Sequence, residues 1–349
     1  MPTTDVDSRR NNILSAIVEA YVETAQPVGS EVLSQRYGLG VSSATIRNVM
    51  ADLEAEGLIR QPHTSAGRVP TDKGYRRYVN GLMRELRLTP DEMARIDVYL
   101  LHGGAAVDIG LLIERASKLL SQMTHQAAVG ITPEWKHHQL KRLELVPLGP
   151  HRLLGVVLTQ QGFVKSQLFE LEESLTGDEV TSLLRFINAE LVGLELTTME
   201  ELLTHRLLEQ TDAFVYLMRR AMQVIHLALE TEQERYYLEG TGYLLEQPEF
   251  RDLGHARTVI QMLDTEAELL PLFASDERAA GQVRIVIGGE DVRLSAMECS
   301  IVQAPYTMQR RIAGSLGIIG PKRMDYPRVV ASVSQVAQRV SELLSRLTP

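Results

Sequence analysis

The order of helix stops in the first 87 residues constrains this chain more than any other feature. Ile13, Leu14, Ile17, Val18, Tyr21 and Val22 recur at helical spacing and form one apolar stripe, which Gln26, Pro27, Val28 and Gly29 bring to an end. Ser30 is placed to cap a short second helix through Tyr37, its hydroxyl accepting from an otherwise orphaned backbone N–H. Gly38 and Gly40 interrupt the chain again, since two glycines so close are poor inside a helix. Ser42 then caps a third helix running to about Glu56, with Ile46, Val49, Met50 and Leu53 on one side and Gly57 at its end. From Leu58 to Pro70 two short extended stretches flank the polar tip His63, Thr64, Ser65, Ala66 and Gly67, which is a hairpin pattern. Thr71 and Asp72 open a further helix carrying Tyr75, Tyr78, Val79, Leu82 and Met83. Helix, short helix, glycine turn, helix and polar-tipped hairpin is the order of a winged helix-turn-helix.

With Ile46, Val49, Met50 and Leu53 facing inward, the opposite face at about 100° per residue carries Ala44, Arg47, Asn48 and Ala51, with Ser42, Ser43 and Thr45 at the N-terminal end. Small residues let a helix sit deep in a major groove, Arg suits guanine O6 and N7, and Asn suits adenine N6 and N7. His63, Thr64, Ser65, Gly67 and Arg68 at the hairpin tip offer donors and a cation to phosphates or the minor groove. Taken alone, residues 42–56 read as an ordinary amphipathic helix with a solvated polar side; the hairpin and the basic segment that follow reverse this in favour of DNA reading.

Charge supports the same region. The whole chain of 349 residues has 36 basic and 45 acidic side chains, net −9, which by itself argues against a surface coated for nucleic acid. Residues 57–87, however, hold Arg60, Arg68, Lys73, Arg76, Arg77, Arg84 and Arg87 against Asp72 and Glu85. Lys73, Arg76 and Arg77 are therefore candidate phosphate contacts, although each singly also fits a solvated surface cation.

A second region begins near residue 88, where Thr89, Pro90 and Glu92 supply a helix start with a capping box. Two helices split near Gly103 and Gly104 follow, and residues 140–171 then switch to period two, an antiparallel meander. Thr176 with Glu179 and Thr198 with Glu201 are further capping boxes, and the chain is largely helical to about Arg235. Strand character returns at Val283–Ile287, Ser300–Ala304 and Ile312–Ile319, before a last helix after Pro327. This arrangement predicts an α+β multidomain chain in which one sheet collects the early and late strands around a helical insertion. Inside the helical block, Phe214, Leu217, Met218, Met222, Ile225 and Leu229 form one apolar face, with Val215, Val224 and Leu227 on others. A helix so broadly apolar suits either a core position or a subunit interface.

These residues resemble the bacterial heat-inducible transcription repressors of the HrcA family. The likeness lies in Pro27–Ser30, in Val41–Asn48, in Leu53–Ile59 and in Thr64–Thr71. It continues in Leu238–Thr241, Gln247–Phe250, Ile287–Glu290 and Gly317–Tyr326, and so covers essentially the whole chain. One departure is Asp291, where the family pattern leads one to expect Asn after Gly-Glu. The resemblance implies a winged helix-turn-helix over 1–87 and a GAF-like α/β-sandwich domain over 88–175 and 256–349. It also implies an inserted, largely helical dimerisation domain over 176–255, which would give the apolar face from Phe214 to Leu229 to the dimer. The implied activity is repression of chaperone operons by a homodimer on an inverted-repeat operator called CIRCE, with the GroE chaperonin maintaining the active form. A ligand-sensing regulator whose GAF-like domain binds a metabolite or nucleotide is the alternative.

Gly314, Gly317 and Gly320 lack the strand-to-helix spacing of a phosphate loop, and the nine histidines show no metal-site spacing. No nucleophile, base and orienting acid can be placed together, so no enzyme and no cofactor is expected. Cys299 is the only cysteine, which fits a reducing cytosol, and no signal peptide or membrane anchor is expected. Val329, Val333, Val336, Val340, Leu343 and Leu347 alternate by four and three, as in a coiled-coil seam or a helix packed on its own domain's sheet.

Overall fold

A computed structural model describes residues 3–63, 66–101, 109–133, 139–160, 164–170, 174–195, 198–199, 202, 236–274, 282–308 and 311–347. The N-terminal unit comprises α1 (Thr3–Thr24), α2 (Ser30–Arg36), α3 (Ser43–Ala55), the hairpin β1 (Ile59–Arg60) and β2 (Val69–Pro70), and α4 (Asp72–Gly81). Its centre is the expected stripe: Ile13, Leu14 and Ile17 of α1 are buried with Leu33, Ile46, Leu53 and Ile59. Gly57 ends α3 in the left-handed region at φ +72°, where glycine carries no Cβ penalty. Ser30 does not cap α2 as expected. Gly29 occupies the N-cap position without a side-chain bond, so Ser30 is the first helical residue.

The hairpin gains a third partner. Val28, in the turn between α1 and α2, exchanges two backbone hydrogen bonds of 2.9 Å with Arg68. This contact requires glycine at 67, because a Cβ there would lie 2.4 Å from the Val28 backbone.

Beyond residue 88 come α5 (Pro90–Leu101) and α6 (Ile109–Thr124), then β3 (Ala127–Ile131), and then a three-stranded meander of β4 (Leu140–Gly149), β5 (Arg152–Thr159) and β6 (Val164–Glu170). Thr89 and Glu92 form the expected reciprocal cap of α5, at 2.8 and 3.3 Å. The helix α7 (Gly177–Glu190), opened by the Thr176–Glu179 capping box, packs on the meander through Val180, Leu183 and Ile187. Asn188 fastens it by exchanging hydrogen bonds with the backbone of Leu143. The apolar face from Phe214 to Leu229 and the Thr198–Glu201 cap lie wholly or partly outside the described residues.

The chain then runs through β7 (Tyr236–Glu239), α8 (Thr241–Leu245), α9 (Leu253–Leu263), α10 (Glu266–Leu272), β8 (Arg284–Ile287), α11 (Val292–Ala296), β9 (Cys299–Met308), β10 (Arg311–Pro321) and α12 (Tyr326–Leu347). A five-stranded antiparallel sheet has the order β7-β3-β10-β9-β8. One face, with Ala128, Val302 and Ile318, belongs to the core that includes α6 and α12; the other, with Ala127, Val129, Ile301 and Ile319, packs against α8 to α11. Gly314, Gly317 and Gly320 lie within β10, in the sheet. Val329, Val333, Val336, Val340 and Leu343 are buried, and α12 packs on β9 and α6, so this stripe faces its own domain's sheet.

One sheet does collect early and late strands, but the meander is not among them. β3 supplies the early strand, paired with β10 at Gly317↔Val129 and with β7 at Val129↔Leu238. Among the described residues the chain leaves this sheet at Ile131 and is back in it at Tyr236, so β4 to β6 lie outside it and β7, which the sequence reading put within 176–255, lies inside it. The physical reason is that β3, Ala-Ala-Val-Gly-Ile, has no period-two alternation to read: it is buried on both faces.

The N-terminal unit and the sheet are joined by charged contacts. Arg76 donates from Nε to Glu290 at 2.6 Å, pairs with the same carboxylate through Nη2, and donates from Nη2 to the Ile285 carbonyl at 2.8 Å. Asp72 accepts from the Gly289 amide at 2.9 Å and pairs with Lys322 at 3.0 Å.

Two outcomes are expected. A Cβ on Gly74 would lie 2.0 Å from the Leu58 carbonyl oxygen, so Gly74→Ala must push α4 off the hairpin. It should cost about 1–3 kcal/mol in denaturant melts, and an unchanged midpoint would show that α4 is not seated there. The second concerns pH. Burial works to raise the Glu290 carboxyl, but hydrogen bonds from Arg76 and the Ile287 amide outweigh it and leave it below the ordinary carboxylate value. A carboxyl lowered on folding contributes stability that is complete above its unfolded pKa and lost as pH falls through the folded one. Thermal unfolding should therefore separate the parent from Glu290→Gln at neutral pH and bring the two together only as pH falls below the ordinary glutamate range, where the folded carboxyl is protonated. Identical melting curves at neutral pH would contradict this.

Candidate nucleic-acid interface

The third helix is built to present its polar face. Ser42 at its N-cap accepts from the Thr45 amide at 3.2 Å, and the Ser42 and Thr45 hydroxyls lie 3.0 Å apart. Ile46, Met50 and Leu53 are buried, which turns Ala44, Arg47, Asn48 and Ala51 to solvent, with Ser42 exposed and Ser43 and Thr45 partly so. Among the described residues, Arg47 and Asn48 make no hydrogen bond or ion pair, so their donors and acceptors stay available. This is the chemistry of base-edge reading: a fork of N–H donors beside an amide, on a helix face with small neighbours.

The hairpin is tied to the same helix by Glu54, a residue the sequence reading passed over. Its carboxylate accepts from the Gln61 amide at 3.1 Å and from Arg68 Nε at 2.9 Å, with Arg68 Nη2 at 2.8 Å. Gln61 in turn donates to the Ala66 carbonyl at 3.1 Å. Arg68 therefore locks the hairpin to α3, its side chain mostly covered, where the sequence suggested an open cation. Gly67 serves the close approach to Val28. His63 is exposed, and Thr64 and Ser65 lie outside the described residues. Glu54 could have been flagged only by asking which α3 residue lies beside the hairpin, since its own sequence context is that of a solvated helical carboxylate.

The seven bases of 57–87 are used in different ways. Arg60 on β1 is exposed and makes no hydrogen bond or ion pair among the described residues. Lys73 is exposed and donates to the Glu56 carbonyl at 2.9 Å, at the C-terminal end of α3 where a cation complements the helix dipole. Arg77, also exposed, reaches Asn11 Oδ1 at 3.4 Å. Arg76 faces inward to Glu290, which removes it from the open basic surface. A cleft of about 410 Å³ lies where the N-terminal unit meets the sheet domain, lined by Tyr21, Arg60, Lys73, Tyr75, Glu249 and Arg323 among others. Burial pushes the Tyr75 phenol well above its usual value, and its hydroxyl makes no hydrogen bond among the described residues.

Comparison with known proteins gives a consistent picture. Residues 111–330 match the family described as HrcA protein C terminal domain. The heat-inducible transcription repressor HrcA of Pelotomaculum thermopropionicum is 37% identical over 343 residues, 98% of each chain. The protein of the same name from Mycobacteroides abscessus is 40% identical over 342 residues, 97% of this chain and 98% of its own. The crystal structure of a hypothetical protein, 25% identical, is similar with a TM-score of 0.67 over 97% of this chain and 98% of that one.

Proposed function

Since this chain belongs to the HrcA family of heat-inducible transcription repressors, we propose that it represses chaperone operons by binding the CIRCE inverted repeat as a homodimer. In this reading residues 1–87 are a winged helix-turn-helix, α3 enters the major groove, and the hairpin is the wing. The observation that carries it is the exposed pair Arg47 and Asn48, without a hydrogen-bond or ion-pair partner among the described residues, on a helix face otherwise lined by small residues. Ser42, Ser43, Ala44, Thr45 and Ala51 surround them, His63, Thr64, Ser65 and Gly67 lie at the wing, and Arg60, Lys73 and Arg77 face the flanking phosphates. The five-stranded sheet with helices on both faces is the GAF-like domain, and the segment outside it is the inserted dimerisation domain. The face from Phe214 to Leu229 would then lie at the dimer contact. Two heads related by a two-fold axis need half-sites one helical turn or a multiple apart, about 10 bp per turn. Maintenance of the active form by the GroE chaperonin completes the proposal, and operator titrations with and without chaperonin would test it.

Arg47→Ala should cost about 1–3 kcal/mol in operator affinity and relax preference at one base pair per half-site. A uniform loss over all operator sequences would contradict base reading by Arg47. Sedimentation at micromolar concentration should show a dimer, and a monomer would overturn the symmetric arrangement.

A further inference from the structure

We propose that the DNA-reading head is clamped to the sheet domain in one orientation, and that the clamp residues set the half-site spacing the dimer accepts. The inference rests on the DNA-binding reading above and adds to it a positioning role for residues that touch no DNA.

The head's side of the clamp is one face of α4. Asp72, Tyr75 and Arg76 stand at positions i, i+3 and i+4, which places them side by side on a helix. Opposite them are two loops of the sheet domain, the turn after β8 and the segment between β10 and α12. Glu290 is held in place before Arg76 arrives, because its carboxylate also accepts from the Ile287 amide at 2.9 Å. Arg76 meets it through two nitrogens, the fork geometry that fixes direction as well as distance. Gly288 has φ +45°, and a Cβ there would lie 2.6 Å from Asp72 Oδ2, so the turn is shaped to admit the Asp72 carboxylate. Tyr75 packs against Tyr326 at 6.0 Å between ring centres, and Tyr326 is itself anchored through its hydroxyl to Ser300 and the Lys322 carbonyl.

A second attachment lies on a different head element. Arg323 donates to the Val22 carbonyl at the end of α1 at 2.9 Å, while Glu249 and Gln247 hold its other nitrogens. One contact would leave the head free to pivot. Two, on α1 and α4, also fix its rotation. None of these residues lies on the exposed face of α3, so grip and reading are separable by mutation.

The test uses the full-length chain with spin labels on Val32→Cys and Leu253→Cys, both exposed, while native Cys299 is buried. With the labelled chain diluted into unlabelled chain so that a dimer carries one labelled pair, the unaltered clamp should give one narrow distance distribution. Glu290→Arg should widen it at least twofold, and the exchanged pair Arg76→Glu with Glu290→Arg should narrow it again. Lys322→Ala serves as a second, milder disruption should Glu290→Arg impair folding. On DNA, the disrupted variant should lose at least tenfold in affinity for a duplex with two half-sites and less than threefold for a duplex with one. Distributions that stay narrow in both disrupted variants would overturn the clamp, and equal losses on one and two half-sites would overturn its role in spacing. If the unaltered protein bound neither duplex even with chaperonin added, the repressor reading would fail and the spacing role with it, while the distances would still decide the clamp.

Discussion

The ion pair between Arg76 and Glu290, together with the hydrogen bond that the Gly289 amide donates to Asp72, joins the two halves of this molecule. Isolated surface pairs contribute only about 0–1 kcal/mol, because solvent screens them and long side chains lose freedom. This set differs in being partly buried, forked at the guanidinium, and backed by backbone donors that position each carboxylate beforehand. Around it the apolar contact is continuous: buried residues of α1, α3 and α4 belong to one core with α6, α12 and one face of the five-stranded sheet. Orientation of the head is thus a property of polar groups at the rim, and cohesion a property of the apolar contact behind them.

The charge distribution takes on a new meaning in this light. An acidic remainder of the chain is useful for keeping clear of DNA, yet some of those acids have a constructive role: Glu290 and Glu249 engage arginines at the seam with the head. The basic segment 57–87 divides in the same way. Arg68 locks the hairpin to Glu54 and Arg76 faces Glu290, which leaves Arg60, Lys73, Arg77, Arg84 and Arg87 as the exposed cations of this segment.

What could be read in the sequence follows the range of the interaction. Period and punctuation are local, so the inward face of α3, the Ser42 cap, the Thr89 and Thr176 capping boxes and the meander are all legible. Arg76 and Glu290 stand 214 positions apart, and nothing near either one names the other. The strand β3 is hidden for a different reason: two alanines and a glycine at its start and middle carry no strand propensity, and burial on both faces by neighbours distant in sequence decides its state. Missing β3 moved the expected limits of the insertion, since β3 and β7 are the two points where the chain leaves and rejoins the sheet.

Hydrogen exchange on the full chain, with and without an inverted-repeat duplex, separates head docking from DNA contact, because one backbone amide reports the clamp and others report the exposed face of α3. Gly289 is exposed, so slow exchange at its N–H reports the bond to Asp72. This amide should be protected both free and on DNA, while added protection on DNA falls at the start of α3 and along the hairpin. Rapid exchange at Gly289 in the free protein, or DNA-dependent protection confined to elements beyond residue 88, would contradict it.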